Sequence, residues 1–394
     1  LIGSFALSIT PPPVGSSIVT IQSSGKALSD FAGTRTIVTR LAKPSLAKFS
    51  VASNNNIRFG EGTVVSGPIH SNGGIRFDGT AENIITSALD KYDDPDHTGD
   101  KEFGVHTHAN PPPGSGVNDS FRSLEAPPNT PAARTDVFNA GRQFPVPVID
   151  FSGFTADISQ MRTDSIANGF HRDGSGALGY HVVLRTDDTF DIYQVTSLAA
   201  VPSGCTDDAT GWGSWSVGAQ TLIGNYPFPA NGLIFLEDNI FINGKIDVAR
   251  LTVVAAVFPD NASSRKNITV DDNLLYTKRD GRDVISLIAQ NNLNVGLYSP
   301  DNLEIDAALI AQNGRVGRYY YRSGSSRCGS NSTKQSITLY GMIASNQRYG
   351  FAYTDGTGYQ DRNIEYDSNL LYAPPPSFPQ TAEQYSILSW EEKN

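Results

Sequence analysis

The chain of 394 residues reads as an all-β protein. The expected architecture is a parallel β-helix (β-solenoid) with an inserted β-hairpin-containing subdomain. Three observations predict it. Apolar segments of three to five residues alternate with Gly, Asn and Asp turns. Near-identical phrases return at regular intervals: IRFG at 57–60 comes back as IRFD at 75–78, and LIAQNN at 287–292 as LIAQNG at 309–314. The 37 Gly and 23 Pro suit a turn-rich β protein and fall short of collagen or a disordered tract. Strands this short make no stable sheet alone, whereas stacked coils bury their inward side chains against one another. A β-sandwich also uses short strands, but it gives no reason for repeated hexapeptides.

Residues 1–50 form a leader. Pro11, Pro12 and Pro13 interrupt any helix, IVTIQ at 18–22 suits a strand, and 33–50 is basic through Arg35, Arg40, Lys43 and Lys48. The first rungs occupy 51–89. An inserted, loop-rich and hairpin-bearing region covers 90–230. Within it, 90–135 lacks periodicity and reads as an excursion over the surface. HVVLR and FDIYQV around TDDT form a hairpin, and GWGSWSVG at 211–218 reads as a loop whose indoles cover apolar surface. The main solenoid spans 231–373, with MIASNQ at 342–347 as a third copy of the hexapeptide. Asn and Gly accept the positive φ that turns between rungs need, and aligned Asn side chains can hydrogen-bond from rung to rung. Pro374, Pro375 and Pro376 stop the last coil. The tail 374–394, with Tyr385, Ile387, Leu388 and Trp390, is expected to cap the open end, with docking on the leader as the alternative.

The 30 Lys and Arg against 40 Asp and Glu give a formal charge of −10, which weighs against broad nucleic-acid or anionic-membrane binding. No apolar run approaches the roughly 20 residues of a membrane span; LTVVAAVF at 251–258 reads as a buried strand. The chain has no initiator Met and is expected to begin after processing. Its two cysteines, Cys205 and Cys328, could form one disulfide joining two excursions from the same flank.

Three groups of residues could carry chemistry. The first is a metal set: Asp94, Asp96, His97, His106 and His108. In a strand, HTH at 106–108 puts both rings on one face. Imidazoles with carboxylates suit a transition metal, and the hard oxygens of DDPD at 93–96 suit calcium; a solvated polar loop is the plain alternative. The second is a carbohydrate-cleaving carboxylate pair drawn from Asp247, Asp271, Asp272, Asp301, Glu304 and Asp306, none of which stands out by motif. The third is a binding surface in which Arg315, Arg318 and Arg322 interleave with Tyr319, Tyr320 and Tyr321, suited to anionic glycans or single strands. Trp212 and Trp215 offer a weaker aromatic surface for sugars.

The stretches SGKALSDFAGTRTIVTRLAKPSLAKFS at 24–50 and NIRFGEGTVVSGPIHSNGGIRFDG at 56–79 resemble bacterial type IV pilus-assembly proteins of the PilX-like minor pilin kind. The shared pattern is a basic Thr/Arg segment followed by a coil with a G-x-x-HSNG phrase, here Gly67 to Gly73. The resemblance implies an extracellular or cell-surface location. It implies other pilus or cell-surface proteins, or a surface glycan, as partners, and membrane contact only through an N-terminal helix that this stretch lacks. It carries no catalytic residues. Fold and resemblance together predict a non-catalytic structural and adhesive protein displaying loops from a rigid shaft, more an ordinary surface component than an enzyme. The alternative is a β-helical carbohydrate-active enzyme, a lyase or hydrolase using surface carboxylates.

Overall fold

The structure is a computed structural model. It describes residues 3–12, 17–27, 33–111, 116–151, 154–206, 213–381 and 384–393. The fold is predominantly all-β, and its main feature is a sheet of 20 strands with mixed topology. The repeated phrases lie directly on one another in that architecture. Ile57 pairs with Ile75 and Phe59 with Phe77. Leu287 pairs with Leu309 and Ala289 with Ala311, and Ile310 continues to Ala344 in the third copy. Stacking identical side chains at the strand spacing keeps apolar surface dry on every rung. Each fully buried Val, Leu or Ile contributes about 1.5–3 kcal/mol.

The longest ladder contains only parallel pairs. It passes from Phe170–Arg172 to Leu233–Leu236, Arg250–Ala255, Val284–Ala289, Asn302–Ala311 and Thr333–Ser345. It then continues to the strands that come early in the chain: Val51–Ser53, Ile69–Ser71, Ile85–Ser87 and Arg142–Gln143. The chain therefore enters this ladder in its middle, runs to one end, and returns from the other end. Residues 90–230, expected as an insertion, contribute Arg142–Gln143, Phe170–Arg172 and Tyr180–Leu184 to the ladders themselves. The connection between the two halves lies along the ladder. The Val146 N–H meets the Ser87 carbonyl and the Ile149 N–H meets Asn72. The helix Phe154–Asn168 then packs beside Leu233–Leu236.

This arrangement explains the predominantly apolar runs LIFL, LTVVA and VISLIA, because strands covered on both faces need no alternation. One face packs inward through Ile234, Leu236, Val253, Leu287 and Leu309. The other, through Phe235, Val254, Ile288, Ile310 and Ala344, is covered by Ile158 and Met161 of the helix and by Leu46, Leu370 and Phe378.

A second parallel ladder joins Tyr180–Leu184 to Ile240–Ile246 and Ile268–Tyr276. The strands Thr189–Leu198 and Val217–Pro227 fold against its first member as an antiparallel hairpin extension, which makes the sheet mixed. A third, short ladder stacks Ile57–Phe59, Ile75–Phe77 and Val105–His106. Turn asparagines bond between layers: Asn54 to Asn346, Asn72 to Asn54, and Asn291 to Asn267.

The leader and tail meet in a separate four-stranded sheet. Ser386–Lys393 pairs antiparallel with Arg35–Ala42, beside Val19–Ala27 and Gly3–Thr10. The tail thus docks on the leader through Ser386–Lys393, while Pro374 and Pro376 bond Arg250 and Thr252 of the ladder. Among the described residues, no helix is long and apolar enough to cross a membrane.

Candidate metal centre

The short ladder positions the site. Its inward residues, Ile57, Phe59, Ile75, Phe77 and Val105, join the core. Its outward residues form a polar column in which Arg58 stacks on Arg76 and Arg76 on His106. His108, two residues beyond His106, is buried beside it, with ring centroids 5.1 Å apart. Just before this strand, Lys91–Tyr92 and Glu102–Phe103 pair antiparallel, with Tyr92 opposite Glu102. The loop between them carries Asp94 and His97 back over the column.

Five side chains converge there: Asp94, His97, Glu102, His106 and His108, with one ligand atom of each within 4.8 Å of the others. Glu102 Oε2 lies 3.0 Å from His97 Nε2 and 3.1 Å from His106 Nε2. Glu102 Oε1 lies 2.9 Å from His108 Nε2. Asp94 Oδ2 lies 3.4 Å from His106 Nε2 and 3.6 Å from His97 Nε2. Metal–ligand bonds of about 2.0–2.2 Å put neighbouring donors roughly 3.0–3.5 Å apart, so these separations fit the edges of one coordination polyhedron.

The outer nitrogens decide what the inner ones offer. His106 Nδ1 donates to the Phe103 carbonyl at 3.2 Å and His108 Nδ1 to the Asn118 carbonyl at 2.6 Å. His97 Nδ1 points at the Thr98 carbonyl at 3.4 Å. A carbonyl only accepts, so each Nδ1 carries hydrogen and Nε2 is the ring atom turned toward the carboxylates. Imidazole nitrogens and carboxylate oxygens this close need a proton or a metal cation between them. A backbone carbonyl on the remote nitrogen is also what orients metal-binding imidazoles. His106 Nε2 and Asp94 Oδ2 are buried with no hydrogen-bond partner.

The surroundings favour negative charge on the donors. Burial acts to raise the Asp94 carboxyl, but His106, the Asp96 N–H and Arg76 outweigh it and hold it well below the usual carboxylate range. Burial likewise opposes ionisation of Glu102. His108, His106 and the Arg122 N–H prevail, so its carboxyl also lies below the ordinary value. Tyr92, beside His106, goes the other way. Burial and then the charges of Asp94 and Glu102 push its hydroxyl well up. Arg76 is fully buried and closes the back of the site through Asp78 at 2.7 Å, Asp119, and Asp94 at 3.7 Å.

Of the sequence-predicted set, Asp94, His97, His106 and His108 come together. Asp96 does not enter the donor group. It makes a two-pronged pair with Arg348, at 2.9 and 2.5 Å, and a contact with Arg58. Glu102, missed in the sequence, takes the central place and touches all three imidazoles. The signal for it lay in the strand pairing of KEF against KY, which no spacing rule between Asp and His reveals. A second group, His171, Asp173 and Glu237, is also geometrically consistent with metal coordination. There Glu237 Oε1 already accepts from Arg162 Nε at 2.5 Å and lies 2.8 Å from His171 Nε2.

The expected binding segment sits elsewhere. Arg318 and Tyr321 are fully buried. Arg318 donates to the carbonyls of Leu297, Ser332 and Asn331. Tyr321 bonds the Ser214 carbonyl. Arg315 turns to the carbonyls of Arg318 and Gly350. Tyr319 stacks on Trp215 and accepts from Asn294, and Tyr320 donates to Asp355. The Arg322 N–H meets the Cys205 carbonyl. These residues fasten turns together and do not compose one exposed face. Cys205 and Cys328 are disulfide-bonded and pack with Leu297 and Tyr321. Trp212 lies outside the described residues.

One expectation is corrected. The prediction of a non-catalytic structural and adhesive protein, with its leaning against an enzyme, does not hold. Buried His/Asp/Glu clusters with converging ligand atoms are consistent with a metal-binding or catalytic site and not with a purely presenting surface. No family model, curated protein or solved structure matches the chain.

Proposed function

We propose that the chain is a metal-dependent, carbohydrate-active enzyme built on a parallel β-solenoid. A transition-metal ion of the zinc class is held by Asp94, His97, Glu102, His106 and His108. One observation carries the reading: three imidazole Nε2 atoms and two carboxylates converge on one point, while the other ring nitrogens face backbone carbonyls. The donor set of nitrogens with two carboxylates suits zinc and its neighbours better than calcium, which prefers oxygen alone. An ion there would supply Lewis-acid chemistry or an acidified water. The solenoid reading rests on the parallel ladders and on the repeats that stack within them.

A cleft supports the carbohydrate reading. A cavity of about 630 Å³ lies beside the centre, lined among others by Arg58, Asp96, Asp119, Arg348, Tyr349 and Tyr353. Asp96 borders both the cleft and the loop that carries His97. Arg348 and Arg58 overcome the effect of burial and hold the Asp96 carboxyl below its ordinary value. Ionised carboxylates beside guanidinium groups and phenol rings suit the hydroxyls and flat faces of sugars. The disulfide supports an exported, oxidising setting.

The test is metal content followed by activity. The purified chain is expected to carry tightly bound zinc-class metal by mass spectrometry, lost in H106A and H108A. Release of reducing ends or unsaturated ends from a polysaccharide panel should stop on chelation and return with zinc. A folded chain that takes up no metal at His106 would overturn the centre. Cleavage indifferent to chelation would overturn the metal's role, and no cleavage of any glycan would overturn the enzyme assignment.

A further inference from the structure

A second cluster sits on the outward side of the ladder that starts at Tyr180–Leu184. His181 lies opposite Phe241, and Val183 opposite Asn243. On the next strand Ile242 pairs with Val270 and Gly244 with Leu274, so Asp271, Asp272 and Asn273 together stand opposite Asn243 alone. Bulges of this kind re-aim side chains. Here the bulge brings Asp271 Oδ1 to 3.7 Å from His181 Nε2. The remote nitrogen, His181 Nδ1, donates to Gln220 Oε1 at 2.7 Å, which leaves Nε2 with its lone pair in the neutral ring.

Three atoms there are buried without a hydrogen-bond partner: His181 Nε2, Asp271 Oδ1 and Asn243 Oδ1. With the ring neutral and the carboxyl ionised, all three are acceptors. Buried acceptors gathered without a donor are costly and need an explanation. An open groove of about 570 Å³ runs alongside, lined by Val183, Asn243, Gly244, Lys245, Asp272 and Asn273 among others. Asn243 of the cluster lines it, and Asp272, next to Asp271, does too.

We infer that His181, Asp271 and Asn243 form a second cation site, one that takes a divalent transition metal through an imidazole nitrogen, a carboxylate oxygen and an amide oxygen. Gln220 is the positioning residue that holds the imidazole tautomer. The remaining coordination positions face the groove, where water or a substrate oxygen reaches them. An imidazole with oxygen donors fits manganese-to-zinc ions, and the free positions distinguish this site from the centre at His106, where five protein donors converge.

Crystals of the full chain grown with zinc, with anomalous data collected across the zinc edge, test this directly. The expected result is a peak within bonding distance of His181 Nε2 and Asp271 Oδ1. Zinc counting should show that D271N carries one equivalent fewer per chain, while the peak at His106 persists. A peak at His106 with none at His181 would overturn the inference and leave His181 and Asp271 as a proton-sharing pair. An unchanged zinc count in D271N would overturn it as well. A peak at His181 with none at His106 would sustain this site and sink the other, so the two readings fail separately.

Discussion

Glu102 reaches His97 and His106 with one carboxylate oxygen, at 3.0 and 3.1 Å, and His108 with the other, at 2.9 Å. No other residue of the centre touches all three imidazoles. The loop, the hairpin strand and the ladder strand therefore meet at a single side chain.

Replacing Glu102 should disable the centre while sparing most of the fold. E102Q keeps the shape and removes the charge that balances a dication. Zinc affinity should fall at least tenfold, read by competition with a chromogenic chelator. An affinity equal to that of the unaltered chain would show that the carboxylate is not a ligand.

Metal removal should lower thermal stability. An ion that binds only the folded chain stabilises it by mass action, about 4 kcal/mol at a thousandfold excess over the dissociation constant. Calorimetry with and without chelator should show a fall of several degrees in Tm. That fall should vanish in H106A.

Arg76 is buried among Asp78, Asp94 and Asp119. R76M leaves those carboxylates without their cation, and breaking a buried pair in this way costs about 3–5 kcal/mol. Urea unfolding of the chelated chain would measure the loss. A cost below about 1 kcal/mol would mean that water takes over the arginine's role.

The metal-stripped chain should lose stability as pH rises through the weakly acid range. Burial pushes the Asp271 carboxyl up to about 6, against the pull of His181. A carboxyl raised on folding stabilises the fold fully below its unfolded value near 3.8, and that contribution is lost as pH passes about 6. D271N, neutral throughout, should flatten this stretch of the profile. Unfolding midpoints between pH 4 and 7 in the presence of chelator provide the measurement.

Gly104 joins the hairpin strand bearing Glu102 to the ladder strand bearing His106. A methyl group there would overlap the Leu89 carbonyl and approach Ser87. G104A should therefore shift Glu102 against His106 and weaken zinc binding while the distant ladder stays formed. Circular dichroism beside a zinc titration separates these effects.

Much of the ladder architecture was legible because near-identical hexapeptides advertise similar environments. LIAQN at 287–291 and at 309–313 could repeat only if each met the same neighbours above, below and inside. Four of the five donors were legible as a local excess of His and Asp. Glu102 was not, because its place follows from an antiparallel pairing across a nine-residue loop. Asp96 stood in the right stretch, but Arg348, far away in sequence, captured it. Arg318 and Tyr321 look in sequence like a cationic aromatic surface. Only the fold reveals that backbone carbonyls, which every sequence contains, supply their partners. The placement of residues 144–151 and of the helix Phe154–Asn168 along the ladder was hidden for a similar reason, since a two-faced apolar strand does not announce what covers it.

Val51 lies against Ile343, and Thr63 against Arg362. The central seam thus joins segments that leave the ribosome nearly three hundred residues apart. During synthesis the early strands wait with one flank unsheltered until these late partners have emerged. Termination before that point leaves an unpaired strand edge at Val51–Ser53.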